Sequence, residues 1–442
     1  MRFPRRTIFK GLAASLGAVA ARNLVSASPV AAPHPPPGSG PEPLYEKPLP
    51  ITMAEFKVRH LPPVSTVQLS DYKICGYQGE LKPSPPHADL NPDHAVLIAW
   101  QGKPHRVVFA HEASYNPVME LPSGVGLCNQ FFESNNGYAE LFNNNGRKTR
   151  NSFVDIVQAG PERAWVRWNY FCVNMDDDSH PALRGTEDYI AYPNGLMWRR
   201  LTYETMMPGR IEGYSWDPID FFAWAPNGLE WRDMFPRDAQ HGDYHVAAVL
   251  DAFSPRRYDI FWDDNGKARR VGNAELLLEI SHSRGLAMVM PFKEGMLFTI
   301  LGNDSGFPSE KSQVVDHSFN DTGGWGWGAD RWDHWPIGWL NSQTNVYKPG
   351  ESKYPYSFGP ISHYIVNRPL KNAAGLPMKD PANDYEREVK DMDLNRWSER
   401  HVYYTLTGMA RDMESIRALA RTWLQKGHAC ATPESISALR IT

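Results

Sequence analysis

Cysteine is scarce in this chain: Cys75, Cys128, Cys172 and Cys430 are the whole supply in 442 residues, with no CxxC spacing among them. That argues against a zinc knuckle and against a thioredoxin-like redox site. One or two disulfides remain open in an oxidising compartment, with no pairing fixed by the spacing. Charge of one sign is also lacking. The formal net charge is −4, so there is neither a basic footprint for nucleic acid nor a strong acidic field. No HExxH, GxSxG or P-loop pattern occurs, and no internal repeat of solenoid or propeller length. Long apolar runs are absent too. Residues 11–21 are too few and too rich in Gly and Ala for a membrane span, which needs about 20 residues.

What the N-terminus does hold is an export pattern. Arg5-Arg6-Thr7-Ile8-Phe9-Lys10 ahead of that apolar run reads as a twin-arginine signal peptide. Small residues suited to cleavage stand at Ala18-Val19-Ala20 and at Ser26-Ala27. Residues 1–27 are the expected signal. Residues 28–50, centred on Pro35-Pro36-Pro37, are the expected tether, because such a segment buries too little apolar surface to order itself. Twin-arginine export then implies a protein that works in the periplasm or outside the cell.

Aromatic residues are abundant, with 15 Trp, 19 Tyr and 19 Phe. Short segments rich in Val, Ile, Tyr, Phe and Trp recur between Gly, Pro, Asn and Asp clusters, as antiparallel strands do. They fall at 94–100, 106–110, 152–158, 164–171, 188–192, 196–204, 247–251, 258–262, 274–281, 287–291, 296–301 and 362–367. Within 163–171, Trp165, Arg167 and Asn169 face one way and Val166, Trp168 and Tyr170 the other. Tyr192-Pro193-Asn194-Gly195 and Asp263-Asp264-Asn265-Gly266 are tight-turn signals. Residues 405–426 instead repeat apolar side chains every three to four positions, the pattern of an amphipathic helix ended by Gly427. The expected fold is therefore mainly β. A large antiparallel β-sandwich of the super-sandwich type covers 51–380, and a C-terminal helical extension covers 381–442. A parallel α/β fold would need alternating helices that are not there.

Two regions concentrate chemistry. The first runs from His111-Glu112-Ala113-Ser114-Tyr115 to residue 150 and gathers Tyr138, Glu120, Glu133, Glu140, Asn143-Asn144-Asn145, Arg147 and Arg150. The second holds Trp325, Trp327, Trp332, Trp335 and Trp339 in fifteen residues, separated by glycines and joined by His334, with Ser362-His363 further on. Flat rings on a glycine-rich loop suit stacking on sugar rings; an aromatic plug between sheets is the competing use. The asparagine run also reads as a plain turn. His334 and His363 serve equally well as structural histidines. Asp176-Asp177-Asp178 fits either a solvated loop or oxygen ligands for calcium. No cofactor is expected, with a structural divalent ion left open.

Eliminating across a uronic acid requires a cation or amide to neutralise the carboxylate, a base to take the C5 proton and an acid for the leaving oxygen. The Tyr, His, Asn and Arg content of these regions fits that list. Glycoside hydrolysis instead needs two carboxylates, for which Glu112, Glu133, Glu140, Glu187, Asp217, Asp220, Glu230 and Asp333 are available. A non-catalytic glycan-binding protein is the third reading.

Several phrases are similar to secreted bacterial β-sandwich proteins that degrade polysaccharides, the uronate and ulvan lyases and a related oligosaccharide dehydratase. They are Gly102-Lys103-Pro104-His105-Arg106-Val107-Val108-Phe109, Ala113-Ser114-Tyr115, Arg163-Ala164-Trp165-Val166-Arg167-Trp168-Asn169-Tyr170, Asp188-Tyr189-Ile190-Ala191-Tyr192-Pro193-Asn194-Gly195, His334-Trp335-Pro336 and Ser362-His363. The resemblance spans 95–365 and implies a site on a concave sheet face containing Tyr115, Arg150, His334 and His363. Two places depart from it. Ser152-Phe153 stands where a Ser-His pair is expected, and Ile337-Gly338-Trp339 replaces a smaller, more polar run. If that missing histidine is the family's base, another group must serve here.

The resulting expectation is a carbon–oxygen lyase or dehydratase acting on an acidic poly- or oligosaccharide. Tyr115 or His111 serves as base or acid, and Arg150 with Asn145 neutralises the carboxylate. His334 and His363 transfer or orient protons. Tyr138, Arg147, Trp325, Trp327 and Trp335 hold the sugar.

Overall fold

The computed structural model describes residues 47–73, 93–128, 133–134, 152–173, 181–205, 215–226, 228–240, 242–302, 312–316, 356–359, 361–367 and 399–441. The account that follows concerns the unit from residue 47 onward. No helix among the described residues is long and apolar enough to cross a membrane.

Two large antiparallel sheets face one another. The first has seven strands in the spatial order Val64–Leu69, Ala95–Trp100, Arg106–Ala110, Pro117–Glu120, Gly126–Cys128, Phe222–Ala225 and Tyr356–Phe358. The second has ten. Its order runs Ala268–Val271, Arg257–Trp262, Tyr244–Asp251, Leu286–Phe292, Gly295–Leu301, Glu399–Ala410, Met197–Thr205, Pro181–Ala191, Ala164–Val173 and Ser152–Ala159. A smaller sheet of four strands carries Ser312–Asp316, Ile361–Asn367, Ser215–Asp220 and Glu133–Ser134. The mainly β sandwich expected from the pattern is what forms.

The strand Ala164–Val173 shows how sequence alternation builds the sandwich. Val166, Trp168 and Tyr170 are buried against the seven-stranded sheet, while Trp165, Arg167 and Asn169 are partly exposed on the far face. Phe109 meets Tyr189 edge-on across the gap, with ring centroids 5.1 Å apart. The Trp100 indole donates to the Tyr192 carbonyl at 2.8 Å. At the turn after Tyr192, Gly195 adopts φ +88°, a left-handed conformation that glycine tolerates without strain. The neighbouring Asn194 amide donates to the carbonyls of Ile436 and Leu439 and ties down the C-terminal segment.

Two expectations about local structure are corrected. Residues 405–410 are not helical but complete the strand Glu399–Ala410, which lies between Gly295–Leu301 and Met197–Thr205 in the ten-stranded sheet. From Thr405 to Gly408 that strand is buried on both faces, so the alternation is lost there, and the spacing of Leu406, Met409 and Ala410 mimics a helix. The helix is Met413–Leu424, capped by Asp412, whose carboxylate accepts from the Ser415 amide at 2.7 Å. It buries Ile416, Leu419, Ala420 and Trp423 on the outer face of the sheet. Conversely, Ala274–Ser281 is a helix rather than a strand. Asn273 caps it by accepting from the Leu276 amide at 2.8 Å, and Leu277, Ile280 and Ser281 form its buried side.

Of the cysteines, Cys128 and Cys430 are buried in the core as thiols. Cys430 bonds the Trp423 carbonyl at 2.9 Å, so neither joins a disulfide.

Candidate functional site

Strand Arg106–Ala110 ends in a single helical turn, His111–Ala113, and the chain then reverses through Ser114 and Tyr115 at φ 49° and φ 60°. Two consecutive non-glycine residues in the left-handed region cost about 1–3 kcal/mol each, and such strain persists only where the surroundings impose it. Here the ten-stranded sheet does so. The Ser152 hydroxyl donates to the Ser114 carbonyl at 2.5 Å, and the Trp168 indole donates to the same oxygen at 3.1 Å. The Tyr115 amide donates to Ala110 at 2.8 Å and closes the loop.

The turn presents Tyr115 to His94. Strands Ala95–Trp100 and Arg106–Ala110 pair with Ala95 opposite Ala110, which sets His94 beside His111; the His111 amide donates to the His94 carbonyl at 2.9 Å. The Tyr115 ring lies between the two imidazoles, with centroids 6.2 Å from His94 and 5.6 Å from His111. Its hydroxyl is 3.5 Å from Nδ1 of His94, while Nε2 of that ring is 3.0 Å from Oε1 of Gln68. The Gln68 amide is oriented by donating its Nε2 to the Pro48 carbonyl. Oε1 can only accept, so Nε2 of His94 carries the hydrogen and Nδ1 offers its lone pair to the tyrosine. Burial, with a smaller contribution from His111, pushes the His94 pKa down to about 4. The ring is therefore neutral at neutral pH and Nδ1 is open as an acceptor. Tyr115 itself is only 3% exposed.

Behind this turn lies a polar network sealed between the sheets. Glu187, fully buried, is gripped by Nε and Nη2 of Arg199 at 2.7 and 2.9 Å. It also accepts from the Tyr170 hydroxyl at 2.7 Å and from the Tyr189 hydroxyl. Burial works against the Arg199 charge, but Glu187 outweighs it and the pKa is raised. Burial, then Glu187, pushes the Tyr189 phenol well up, so it stays protonated and donates. The Tyr170 ring packs at a 36° tilt against Trp168 with centroids 4.2 Å apart, which links the network to the Ser114 carbonyl.

The expected site residues divide into three groups. His111 and Tyr115 are brought together. His363 lies in the strand Ile361–Asn367 of the four-stranded sheet, paired with Asp220 on one side and Val315 on the other. Tyr138, Asn145, Arg147, Arg150, Trp325, Trp327, His334 and Trp335 lie outside the described residues, as do Asp176-Asp177-Asp178, Glu140 and Asp333. Glu187 is locked in its ion pair, and Glu230 caps the short helix Trp231–Met234. Glu133 and Asp217 stand directly opposite one another across two strands. Among the described residues, no group of three or more His, Cys, Asp or Glu side chains converges as a metal site would require. His94 and Gln68 were missed. The available signal was the hairpin pairing of 94–100 with 106–110, which places His94 next to His111.

No protein-family model matches the chain, and no curated protein matches it. Among solved structures, the galactose 1-epimerase of Lactobacillus acidophilus NCFM is 8% identical, covers 80% of this chain and all of its own, and superposes with a TM-score of 0.27. At that score the likeness carries no weight for fold or activity.

Proposed function

We propose that the protein is an exported carbon–oxygen lyase that performs β-elimination on an acidic, uronate-containing poly- or oligosaccharide, with Tyr115 as the base. The observation that supports this reading is the Gln68–His94–Tyr115 line, in which a neutral imidazole offers its lone pair to the tyrosine hydroxyl. Tyr115 takes the C5 proton as its own proton moves to Nδ1 of His94. The electron pair released at C5 forms the C4–C5 double bond, and the C4–O bond breaks as the leaving oxygen is protonated. Arg150 and Asn145 neutralise the carboxylate, and His334 and His363 serve proton transfer or orientation. Trp325, Trp327 and Trp335 stack on the sugar, and Tyr138 and Arg147 complete the substrate-binding set. Incubation of the pure protein with a panel of uronate glycans should raise the ultraviolet absorbance of the conjugated product. No rise with any of them would end the lyase reading.

A second reading, glycoside hydrolysis, has one observation in its favour. Glu133 and Asp217 occupy directly opposed positions on antiparallel strands, so two acidic residues share one face of the four-stranded sheet, as a carboxylate pair requires. New reducing ends without ultraviolet absorbance, lost in Asp217→Asn, would select it.

A further inference from the structure

The last residues of the expected tether lie against the edge strand Val64–Leu69. Pro48 and Pro50 have no N–H to give to a strand ladder. Within 47–51 it is Ile51 that bridges the strand, in parallel with Leu69. Its amide donates to the Gln68 carbonyl at 3.0 Å, and its carbonyl accepts from the Ser70 amide at 2.9 Å. Upstream, Leu49 is 82% exposed, so apolar burial does not fix this stretch. Pro48 is half-buried, and its carbonyl accepts from Nε2 of Gln68. Gln68 is thus held at both its main chain and its side chain.

The side-chain hold matters because an amide keeps its shape when its oxygen and nitrogen change places, while donor and acceptor are exchanged. With Oε1 toward His94, Nε2 of the ring carries the hydrogen and Nδ1 meets the Tyr115 hydroxyl as an acceptor. Flipped, the amide would offer an N–H to Nε2, move the ring hydrogen to Nδ1 and withdraw the lone pair from Tyr115. Pro48 distinguishes the two orientations. In the flipped one, Oε1 would face the Pro48 carbonyl, two acceptors with no hydrogen between them. Among the described residues, the Gln68 amide bonds His94 and Pro48 and no other group.

We propose that residues 47–51 are a positioning strap for the elimination: the Pro48 carbonyl fixes the Gln68 amide, and through it the His94 tautomer that leaves Nδ1 open to Tyr115. The role in turnover rests on Tyr115 as the base. The tautomer itself is read without turnover.

Nitrogen-15 NMR of the full chain, labelled at histidine and held at about pH 8 where the ring is neutral, reports the tautomer, with His94→Gln to assign the signals. Wild type should show Nε2 protonated and Nδ1 without hydrogen. Ile51→Pro removes the N–H that the Gln68 carbonyl receives. The double variant Pro48→Gly with Pro50→Gly gives the strap backbone freedom that it lacks. In both, the share of the Nδ1–H form should rise about tenfold, the worth of one neutral hydrogen bond. Turnover on the uronate substrate should fall, with KM nearly unchanged. Adding Gln68→Glu, whose two oxygens both accept, should restore the Nε2–H form in either background. Neither proline is fully buried, so the glycine variant keeps the test open if Ile51→Pro unfolds. His94 signals unchanged from wild type in the glycine variant overturn the proposal, as does an Nδ1 already protonated in wild type. A protein that acts on no uronate glycan ends the elimination reading, while the tautomer still decides whether Pro48 sets the ring.

Discussion

The side-chain oxygen of Gln68 lies 3.0 Å from Nε2 of His94 and thereby turns the basic nitrogen of that ring toward Tyr115. A residue on the edge strand Val64–Leu69 thus sets the tautomer on which the proposed base depends. Tyr115→Phe keeps the ring and removes the hydroxyl. It should cost about 10²–10⁴-fold in turnover on the uronate substrate, the usual contribution of a positioned acid or base, while the thermal midpoint stays close to wild type. Gln68→Leu should lower kcat and leave KM nearly unchanged. Retention of full activity in Tyr115→Phe would remove the tyrosine from the chemistry.

Acid should weaken the fold through two histidines. His94 and His105 both have pKa values pushed down to about 4, chiefly by burial. His105 is sealed against Trp100, with ring centroids 4.7 Å apart, and its Nε2 meets the Gly195 carbonyl at 3.1 Å. In the unfolded chain these rings take up protons near the ordinary value of about 6.5; in the folded chain they resist until about 4. Their stabilising contribution is therefore complete above about pH 6.5, declines as the pH falls toward 4 and changes little below that. For the fully buried His105 the loss is roughly 3 kcal/mol. Denaturant titrations at pH 7 and pH 5 should show the decline, and His105→Gln should flatten part of it. An identical pH slope in the variant would contradict this.

The Glu187–Arg199 pair should be intolerant of halving. Arg199→Met leaves a buried carboxylate without its cation, at a cost of about 3–5 kcal/mol. Replacing both residues, Glu187→Met with Arg199→Met, should recover a large part of that loss. Urea unfolding of the two variants decides it, and equal stability of the single and double replacements would show that the charge is already compensated elsewhere.

Gly185 should be irreplaceable for a neighbouring reason. A Cβ at this position would come within 2.2 Å of the Tyr170 ring. Gly185→Ala must therefore displace the phenol from Glu187 and disturb the Trp168 packing below the Ser114 turn. An expected loss of about 1–3 kcal/mol should be accompanied by altered near-ultraviolet dichroism from the aromatic cluster. An unchanged aromatic spectrum would mean that the sheet yields at this point instead.

Much of the fold was legible in the sequence because half-buried strands announce themselves by alternation. The segment 106–110 coincides with its strand, and Trp165 and Trp168 point to opposite faces as their spacing requires. The pattern failed where both faces of an element are covered, as in Glu399–Ala410. It also failed where a short helix is rich in Leu and Ile, as in Ala274–Ser281. At the site, His111 and Tyr115 were visible because they are close in sequence. His94 was not, since it reaches them only across a hairpin, and nothing in residue 68 marks a glutamine that orients a ring. The buried partnership of Glu187 was equally hidden: a lone acid in a strand looks the same whether it meets a substrate or an arginine.

The strand Glu399–Ala410 is the last strand described along the chain, yet it joins Gly295–Leu301 to Met197–Thr205 at the middle of the ten-stranded sheet. During synthesis on the ribosome, the four strands from Ser152 to Thr205 and the five from Tyr244 to Leu301 must therefore wait as two half-sheets. Each has an unpaired inner edge until residue 410 has emerged. Such edges invite pairing with other chains, so a nascent or truncated chain ending before residue 399 is a template for aggregation. The finished protein removes that hazard in one late step, with a single strand and the helix that follows it.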